Sequence, residues 1–297
     1  MISVVICTRD RAAKLERCLA HMRANCSATG FDWQLVVVDN ASGDGTSAVI
    51  SRFAGSLPVV SVFETKRGLS HARNRGIAAA RYPIIAFTDD DCLVGAGWLR
   101  AILGEFATRP ELSVLGGRVE LADASDCPVS TRLHDRPERI ATITQILSLM
   151  SGCNMAFRRH VFEAVGPFDP AFGKGKLIGS AEDIDLLYRA LKAGLDIAYR
   201  PDVVVHHAHG RDTPRALESV THDYIRGRGA FYCKFIGDRS IAQMAYWEVR
   251  NLLVDWWSAP AKSGSPRLLC SLATGAFYQL AHTVRNGAAR GAHRLTG

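Results

Sequence analysis

The sequence has no CxxC pair, no G-x-G-x-x-G after its first apolar run and no Walker A motif. Its eight cysteines stand apart at 7, 18, 26, 92, 127, 153, 233 and 270. They read as reduced, mostly buried thiols of a cytosolic protein rather than as a disulfide framework. The first apolar run leads into Cys7-Thr8-Arg9-Asp10-Arg11, without a glycine. That excludes a Rossmann dehydrogenase, whose pyrophosphate needs a glycine-rich turn. Long apolar runs are missing too. Leu268 to Val284 is 17 residues without Lys, Arg, Asp or Glu, but it contains Ser, Thr, Gln, His and Gly. A membrane span needs about 20 mostly apolar residues. MISVVIC lacks the basic lead of a signal peptide. The sequons Asn25-Cys26-Ser27 and Asn40-Ala41-Ser42 therefore need carry no glycan. Repeats and low-complexity tracts are absent.

What is present is an ordinary globular composition. The 297 residues are 47% hydrophobic and 22% charged, with a net charge of +7. That excludes a disordered chain and is enough for a full core. The charge is uneven. Residues 1–205 hold 24 basic and 23 acidic side chains, residues 206–297 hold 12 and 6, and no acid follows Asp255. A basic end points to an anionic partner or to a solvated basic helix.

Apolar β-branched runs alternate with helical spacing along the first ninety residues. Strands are expected at Ile2–Cys7, Leu35–Val38, Val59–Phe63 and Ile84–Phe87. Helices are expected at Ala12–Ala24, Thr46–Phe53 and Ser70–Ala80. This is the pattern of an α/β fold with a mainly parallel sheet. Further strands are read at Val114–Leu121, Asn154–Phe157, Ile197–Tyr199 and Val203–Val205. Helices are read at Ile140–Met150 and at Ala181–Ala193, the latter with Ile184, Leu187 and Leu191 inward. Residues 122–140 and the glycine-rich 172–180 read as loops, and the chain beyond His209 as helical.

Ligands of open α/β sheets bind beyond the carboxyl ends of the strands. Asp39 and Asp89-Asp90-Asp91 fall there. Three adjacent carboxylates repel one another unless a cation neutralises them, and Mg²⁺ uses one or two carboxylates with substrate phosphates. In an extended segment, D-x-D spacing puts Asp89 and Asp91 on one face. An exposed acidic turn is the alternative. Glu182-Asp183 after Ser180 is good helix-start chemistry. His206, His207 and His209 read either as a source of a metal ligand or as hydrogen-bonded imidazoles, and H-H-x-H is a poor closed zinc site.

VVICTRDR, VVVDNASGDGT, RGLSHARNRGIAAA, IIAFTDDDC, SGCNMAFRR and SAEDIDLLYRA occur in this order. Together, over residues 1–206, they resemble the family 2 glycosyltransferases of the GT-A fold. The resemblance implies a catalytic domain over 1–206, with a nucleotide-binding half to about 118 and an acceptor half from 119, and a basic helical extension over 207–297. It implies inverting transfer from a nucleotide-diphosphate sugar, taken as UDP-linked, to an acceptor hydroxyl in polysaccharide or glycolipid synthesis. By the same resemblance Thr8, Arg9 and Asp39 would line the nucleoside pocket, with Asp39 on the base. Arg73 and Asn74 would face the nucleotide, Asp89 would touch the ribose side, and Asp90 would be one of the nucleotide-sugar-binding residues. Asp91, with His206 as the histidine that aligns best, would hold Mg²⁺ or Mn²⁺. Gly152 and Asn154 would lie near the donor sugar. Asp183 would be the catalytic base, with Glu182 serving the acceptor or capping the helix. The chain has Arg9 and Asp10 where many members carry an aromatic residue and Asn. Two other readings are a non-catalytic nucleotide-sugar-binding protein and a metal-dependent nucleotidyltransferase, which would release pyrophosphate.

In the tail, Val249, Leu252, Leu253, Trp256 and Trp257 form one apolar face. Leu269, Leu272, Ala273, Ala276, Leu280 and Val284 recur at helical spacing. Lys262, Arg267, Arg285, Arg290 and Arg294 flank them. This suits an interfacial amphipathic helix on the inner membrane face, and equally a helical pair packed on the sheet. The acceptor would then be a glycan, a lipid-linked sugar or a small molecule. No nucleic-acid-binding motif accompanies the basic residues.

Overall fold

Ile2–Thr8 forms the central strand because almost every side chain is apolar or β-branched and both faces are covered. The computed structural model describes residues 1–26, 30–258 and 264–295. Ser27 and Lys262, and the side chains of Arg285, Arg290 and Arg294, lie outside the described residues.

The chain runs β1 (Ile2–Thr8), α1 (Ala12–Cys26), β2 (Trp33–Asp39), α2 (Thr46–Phe53), β3 (Val59–Phe63), α3 (Leu69–Ala79) and β4 (Ile84–Asp89). β5 (Cys92–Val94), α4 (Trp98–Thr108), β6 (Leu112–Leu121), β7 (Glu138–Arg139), α5 (Ile143–Leu149), β8 (Asn154–Arg158) and α6 (His160–Val165) follow. Then come α7 (Glu182–Lys192), β9 (Asp196–His207), α8 (Pro214–Lys234), α9 (Arg239–Ser258) and α10 (Ser265–Leu295). The sheet order is β3-β2-β1-β4-β8-β6-β9-β5, with β7 on β9. β3, β2, β1 and β4 are mutually parallel, as expected. β8 is antiparallel to β4 and β6, and β5 is antiparallel to β9, so the sheet is mixed. Ile197–Tyr199 and Val203–Val205 belong to one strand, β9.

Contacts divide the chain into two compact units. The first is Met1–Phe168 with Leu186–Pro214, and it holds every strand. The second is Asp169–Asp185 with Arg215–Gly297. Residues 169–185 thus group with the C-terminal helices, although they precede the last strand in sequence. In the first unit α3 lies close on β1 because Gly76 has no side chain: a Cβ there would meet Val5 Cγ1 at 2.4 Å. In the second unit α8 and α10 touch backbone to backbone. A Cβ at Gly229 would meet the Leu272 carbonyl oxygen at 2.0 Å, and one at Gly275 the Arg226 carbonyl oxygen at 1.9 Å.

Two helix faces differ from expectation. Along α7 the buried set is Glu182, Asp185, Leu186, Leu187, Tyr188 and Ala190, while Ile184 and Leu191 are half-buried. α10 buries Leu272, Gly275 and Gln279 and leaves Phe277, Leu280 and Val284 exposed. Close approach at Gly275 decides which face of α10 packs, and that face is not the one richest in large apolar side chains. Among the described residues no helix is long and apolar enough to cross a membrane.

Candidate active site

The site forms where β1, β2 and β4 end side by side. Thr8 is paired in register with Asp39, and Cys7 with Asp89. Parallel strands present their carboxyl ends together, so residues distant in sequence share one edge. Two non-glycine residues near this edge, Asp10 and Ala41, hold left-handed backbone, with φ of 52° and 57°. Their loops interlock: Asp10 Oδ1 accepts from the Gly43 N–H at 2.7 Å, and the Asp10 N–H donates to Ser42 Oγ at 3.0 Å. Asp39 is buried and accepts from the Ser42 N–H at 2.9 Å.

The chain does not stay extended through Asp89-Asp90-Asp91. β4 stops at Asp89 and a turn occupies Asp90 and Asp91. The extended D-x-D expectation is therefore corrected: the two carboxylates that converge on one cation are Asp90 and Asp91. Arg11 Nη1 donates to Asp90 Oδ1 at 2.6 Å, and Arg11 Nη2 donates to Asp91 Oδ2. Lys14 Nζ stands 3.6 Å from Asp91. Thr8 Oγ1 donates to Asp90 Oδ2 at 2.7 Å. Asp89 is the most open of the three, and Arg73 Nη2 lies 3.4 Å from it. Two buried carboxylates a residue apart need this positive charge. Burial pushes Asp90 up to about 7, with Arg11 opposing the rise. Burial also disfavours charge on Asp91, but His207 and Arg11 outweigh it and hold the group well below the usual carboxylate range.

Histidine placement is also corrected. Side chains alternate along β9, so neighbouring histidines point to opposite faces. His206 Nε2 lies 3.4 Å from Glu120 Oε2, whereas His207 Nε2 lies 3.3 Å from Asp91 Oδ1. The structure brings His207, not His206, to Asp91. Burial works against charge on His207, but the Asp91 carboxylate raises it to about 9. Asp91, Cys92 and His207 present potential ligand atoms all within 4.8 Å of one another. The Cys92 thiol is held well above its ordinary value by its hydrogen bond to Cys153 and by burial, which makes it a poor ligand for a hard cation. Asp91 and His207 are the members of this group that could hold a divalent cation. His207 Nδ1 is buried and has no hydrogen-bond partner among the described residues.

Other expected residues support the site from beneath. Arg73 is buried, donates to the Gly152 carbonyl at 3.1 Å and lies over the rings of Phe168 and Phe87, at 5.3 and 5.9 Å. Asn74 clasps the backbone of Phe168, accepting from its N–H at 2.9 Å and donating to its carbonyl at 2.8 Å. Asn154 is 1% exposed. Its oxygen accepts from Trp98 Nε1 at 2.9 Å, and its amide donates to the carbonyls of Arg118 and Val203 at 2.9 and 2.8 Å. Asn154→Ala leaves three buried groups unpaired and is expected to cost about 3 kcal/mol or more, read as a lowered thermal midpoint. A midpoint shift no larger than that of a surface variant would refute this. Arg9 is half-buried with Nε 3.3 Å from Asp10.

Asp183 lies in the second unit, on the first turn of α7. Its Oδ1 accepts from the Ile184 N–H at 2.8 Å, and Glu182 beside it is buried. Ala181, just before, holds φ of 71°, a strained conformation for alanine.

Arg11 and Lys14 escaped the sequence reading. The local signal points the other way, since a helix N-terminus favours acids over bases. Only their partners, some eighty residues away, explain them.

The model of the family described as "Glycosyl transferase family 2" matches residues 3–166. The chain belongs to glycosyl transferase family 2. Among curated relatives, the pre-mycofactocin glycosyltransferase of Mycobacterium tuberculosis is 28% identical over 242 residues, covering 78% of this chain and 46% of that one. The O-antigen chain rhamnosyltransferase WbaN of Salmonella anatum is 29% identical over 196 residues, covering 61% and 58%. This family 2 chain spans about half the length of the curated relatives it matches. Its fold is GT-A. The mannosyltransferase PcManGT of Pyrobaculum calidifontis, in complex with GDP-Man and Mn²⁺, aligns with a TM-score of 0.62 at 20% identity, covering 97% of this chain and 79% of that one. S. aureus TarS 1-349 in complex with UDP-GlcNAc aligns with a TM-score of 0.61 at 16% identity, covering 78% and 65%.

Proposed function

We propose that this protein is an inverting glycosyltransferase that moves a sugar from a nucleoside-diphosphate sugar to an acceptor hydroxyl. The observation that carries the reading is the Arg11–Asp90–Asp91–His207 cluster at the ends of parallel strands, in a chain of family 2. The class of donor is supported by the fold neighbours, one in complex with UDP-GlcNAc and one with GDP-Man and Mn²⁺. A UDP sugar is the donor proposed here. The O-antigen name of one relative supports a growing glycan or a lipid-linked sugar as acceptor.

Each part of the reaction has a residue proposed for it. Thr8, Arg9 and Asp39 hold the nucleoside, Asp89 lies on the ribose side, and the buried Asp90 anchors Thr8 and Arg11. Asp91 and His207 would hold a divalent cation, which would supply positive charge to stabilise the leaving nucleoside diphosphate. Arg73, Gly152 and Asn154 keep the floor of the donor site in place. The acceptor oxygen attacks the anomeric carbon, the nucleoside diphosphate leaves with the bonding pair, and the acceptor proton passes to the Asp183 carboxylate. One displacement inverts the anomeric centre, and no covalent nucleophile is required.

Calorimetric titration with UDP, GDP and dTDP, with and without Mn²⁺, tests the reading. Metal-dependent binding of one nucleotide supports it, and no binding of any of them overturns it. Release of pyrophosphate rather than a nucleoside diphosphate would return the nucleotidyltransferase.

Attachment to the inner face of a membrane belongs to the same reading. α9 exposes Tyr246, Trp247, Leu253, Val254, Trp256 and Trp257, with Trp257 91% exposed. Arg250 lies over the Trp247 ring at 5.2 Å. Exposed tryptophan beside arginine suits an anionic lipid surface. The protein is expected to float with phosphatidylglycerol-containing vesicles and not with phosphatidylcholine alone, and Trp257→Glu should weaken flotation about tenfold. Equal flotation of wild type and variant would contradict attachment through α9.

A further inference from the structure

The segment that carries the proposed base groups with the C-terminal helices. In the second unit, Lys234 near the end of α8 holds two carboxylates of the 169–185 segment at once. Its Nζ lies 2.6 Å from Asp169 Oδ2 and 2.6 Å from Asp185 Oδ1. Asp185 is 0% exposed and stands two residues after Asp183 on the same first turn of α7. The ammonium also lies over the Phe172 ring at 5.2 Å.

The rest of the segment is held by the same face of α8. Lys174 Nζ lies 2.5 Å from Asp223 Oδ2, and Ser180 Oγ donates to the Asp223 carbonyl at 2.9 Å. Arg226 Nη1 donates to the Leu177 carbonyl at 2.7 Å. A Cβ on Gly227 would meet Ser180 Oγ at 2.1 Å. Positions 223, 226, 227 and 234 fall on one helical stripe, so one surface of α8 grips the segment from Lys174 to Asp185. A glycine-rich segment with backbone at φ of 99°, 87° and 82° at Gly173, Gly175 and Gly179 has little order of its own and needs such a grip.

We propose that Lys234 is a positioning residue for glycosyl transfer, and that α8 fixes the α7 first turn and with it the Asp183 carboxylate. The inference rests on Asp183 being the base. A buried carboxylate that loses its cation seeks water or protonation, and either shifts the turn that carries it. Misplacing a reacting group by about 1 Å can cost about 10²-fold in rate. The nucleotide-binding residues named above all lie in the first unit, so donor affinity is a separate readout.

The test uses the full chain and water as acceptor, following release of nucleoside diphosphate from UDP-glucose, UDP-GlcNAc and GDP-mannose. Lys234→Met is expected to lower kcat about tenfold to a hundredfold, with KM and Kd for the donor within about twofold. Lys234→Arg keeps the charge and is expected to recover most of kcat. Should Lys234→Met fail to fold, Asp169→Asn opens half of the clasp at a partly exposed residue and carries the same expectation at smaller size. Wild-type kcat in the folded variant overturns the proposal, as does a donor Kd that rises in step with the loss of kcat. Asp183→Asn is run alongside. If it turns over like wild type, the base assignment fails; if it is inactive while Lys234→Met is normal, the positioning role alone fails.

Discussion

Asp183→Asn is expected to leave donor binding within about twofold of wild type and to cut turnover by about 10²–10⁴, the range of a general base. The substitution is chosen for what it preserves. Asp183 Oδ1 accepts the Ile184 N–H at 2.8 Å, and an asparagine oxygen can accept the same bond. The helix start survives, and the basic electron pair that takes the acceptor proton is lost. Asp183→Ala would remove both and could not separate capping from catalysis. The measurements are calorimetric Kd for the nucleotide and the initial rate of nucleoside diphosphate release. Wild-type turnover in Asp183→Asn would return Glu182-Asp183 to helix capping, the reading its spacing supports by itself.

The parallel half of the fold was legible because its signals are local. β1, β2 and β4 are mainly apolar runs separated by helices of clear period, and each ends at polar residues that fall at the site. The antiparallel half was less so. β5 is three residues long, and it pairs with β9 more than a hundred positions away. The helix α4, with Trp98 fully buried against Asn154, went unread between two strands. Site placement failed where it turned on geometry finer than spacing. The choice between His206 and His207 depends on which face of the sheet each β9 side chain points to, and one residue of register reverses it. Extended geometry was assumed for Asp89-Asp90-Asp91, whereas the chain turns there. The union of 169–185 with the C-terminal helices depends on long-range ion pairs such as Lys234–Asp185, which leave no periodic trace.

Asp91→Asn is expected to abolish the Mn²⁺ dependence of nucleotide binding and to lower kcat/KM by about 10²–10³, the size of losing one preorganised charge-stabilising group. The carboxylate is 5% exposed and faces Arg11, Lys14 and His207. Asparagine keeps the shape and removes the charge that balances those cations. The neighbouring Asp90 does not replace it, because among the described residues the converging ligand atoms are those of Asp91, Cys92 and His207. His207→Ala should move the same two readouts in the same direction. His206→Ala, whose ring lies at Glu120, should move neither beyond about threefold, within the scatter of a surface substitution. The contrast between the two histidines is the sharper part. A loss of metal dependence in His206→Ala with His207→Ala unaffected would mean that the strand meets the donor through its other face. Metal-dependent nucleotide binding that survives Asp91→Asn would instead move the cation site away from the Asp90–Asp91 turn altogether.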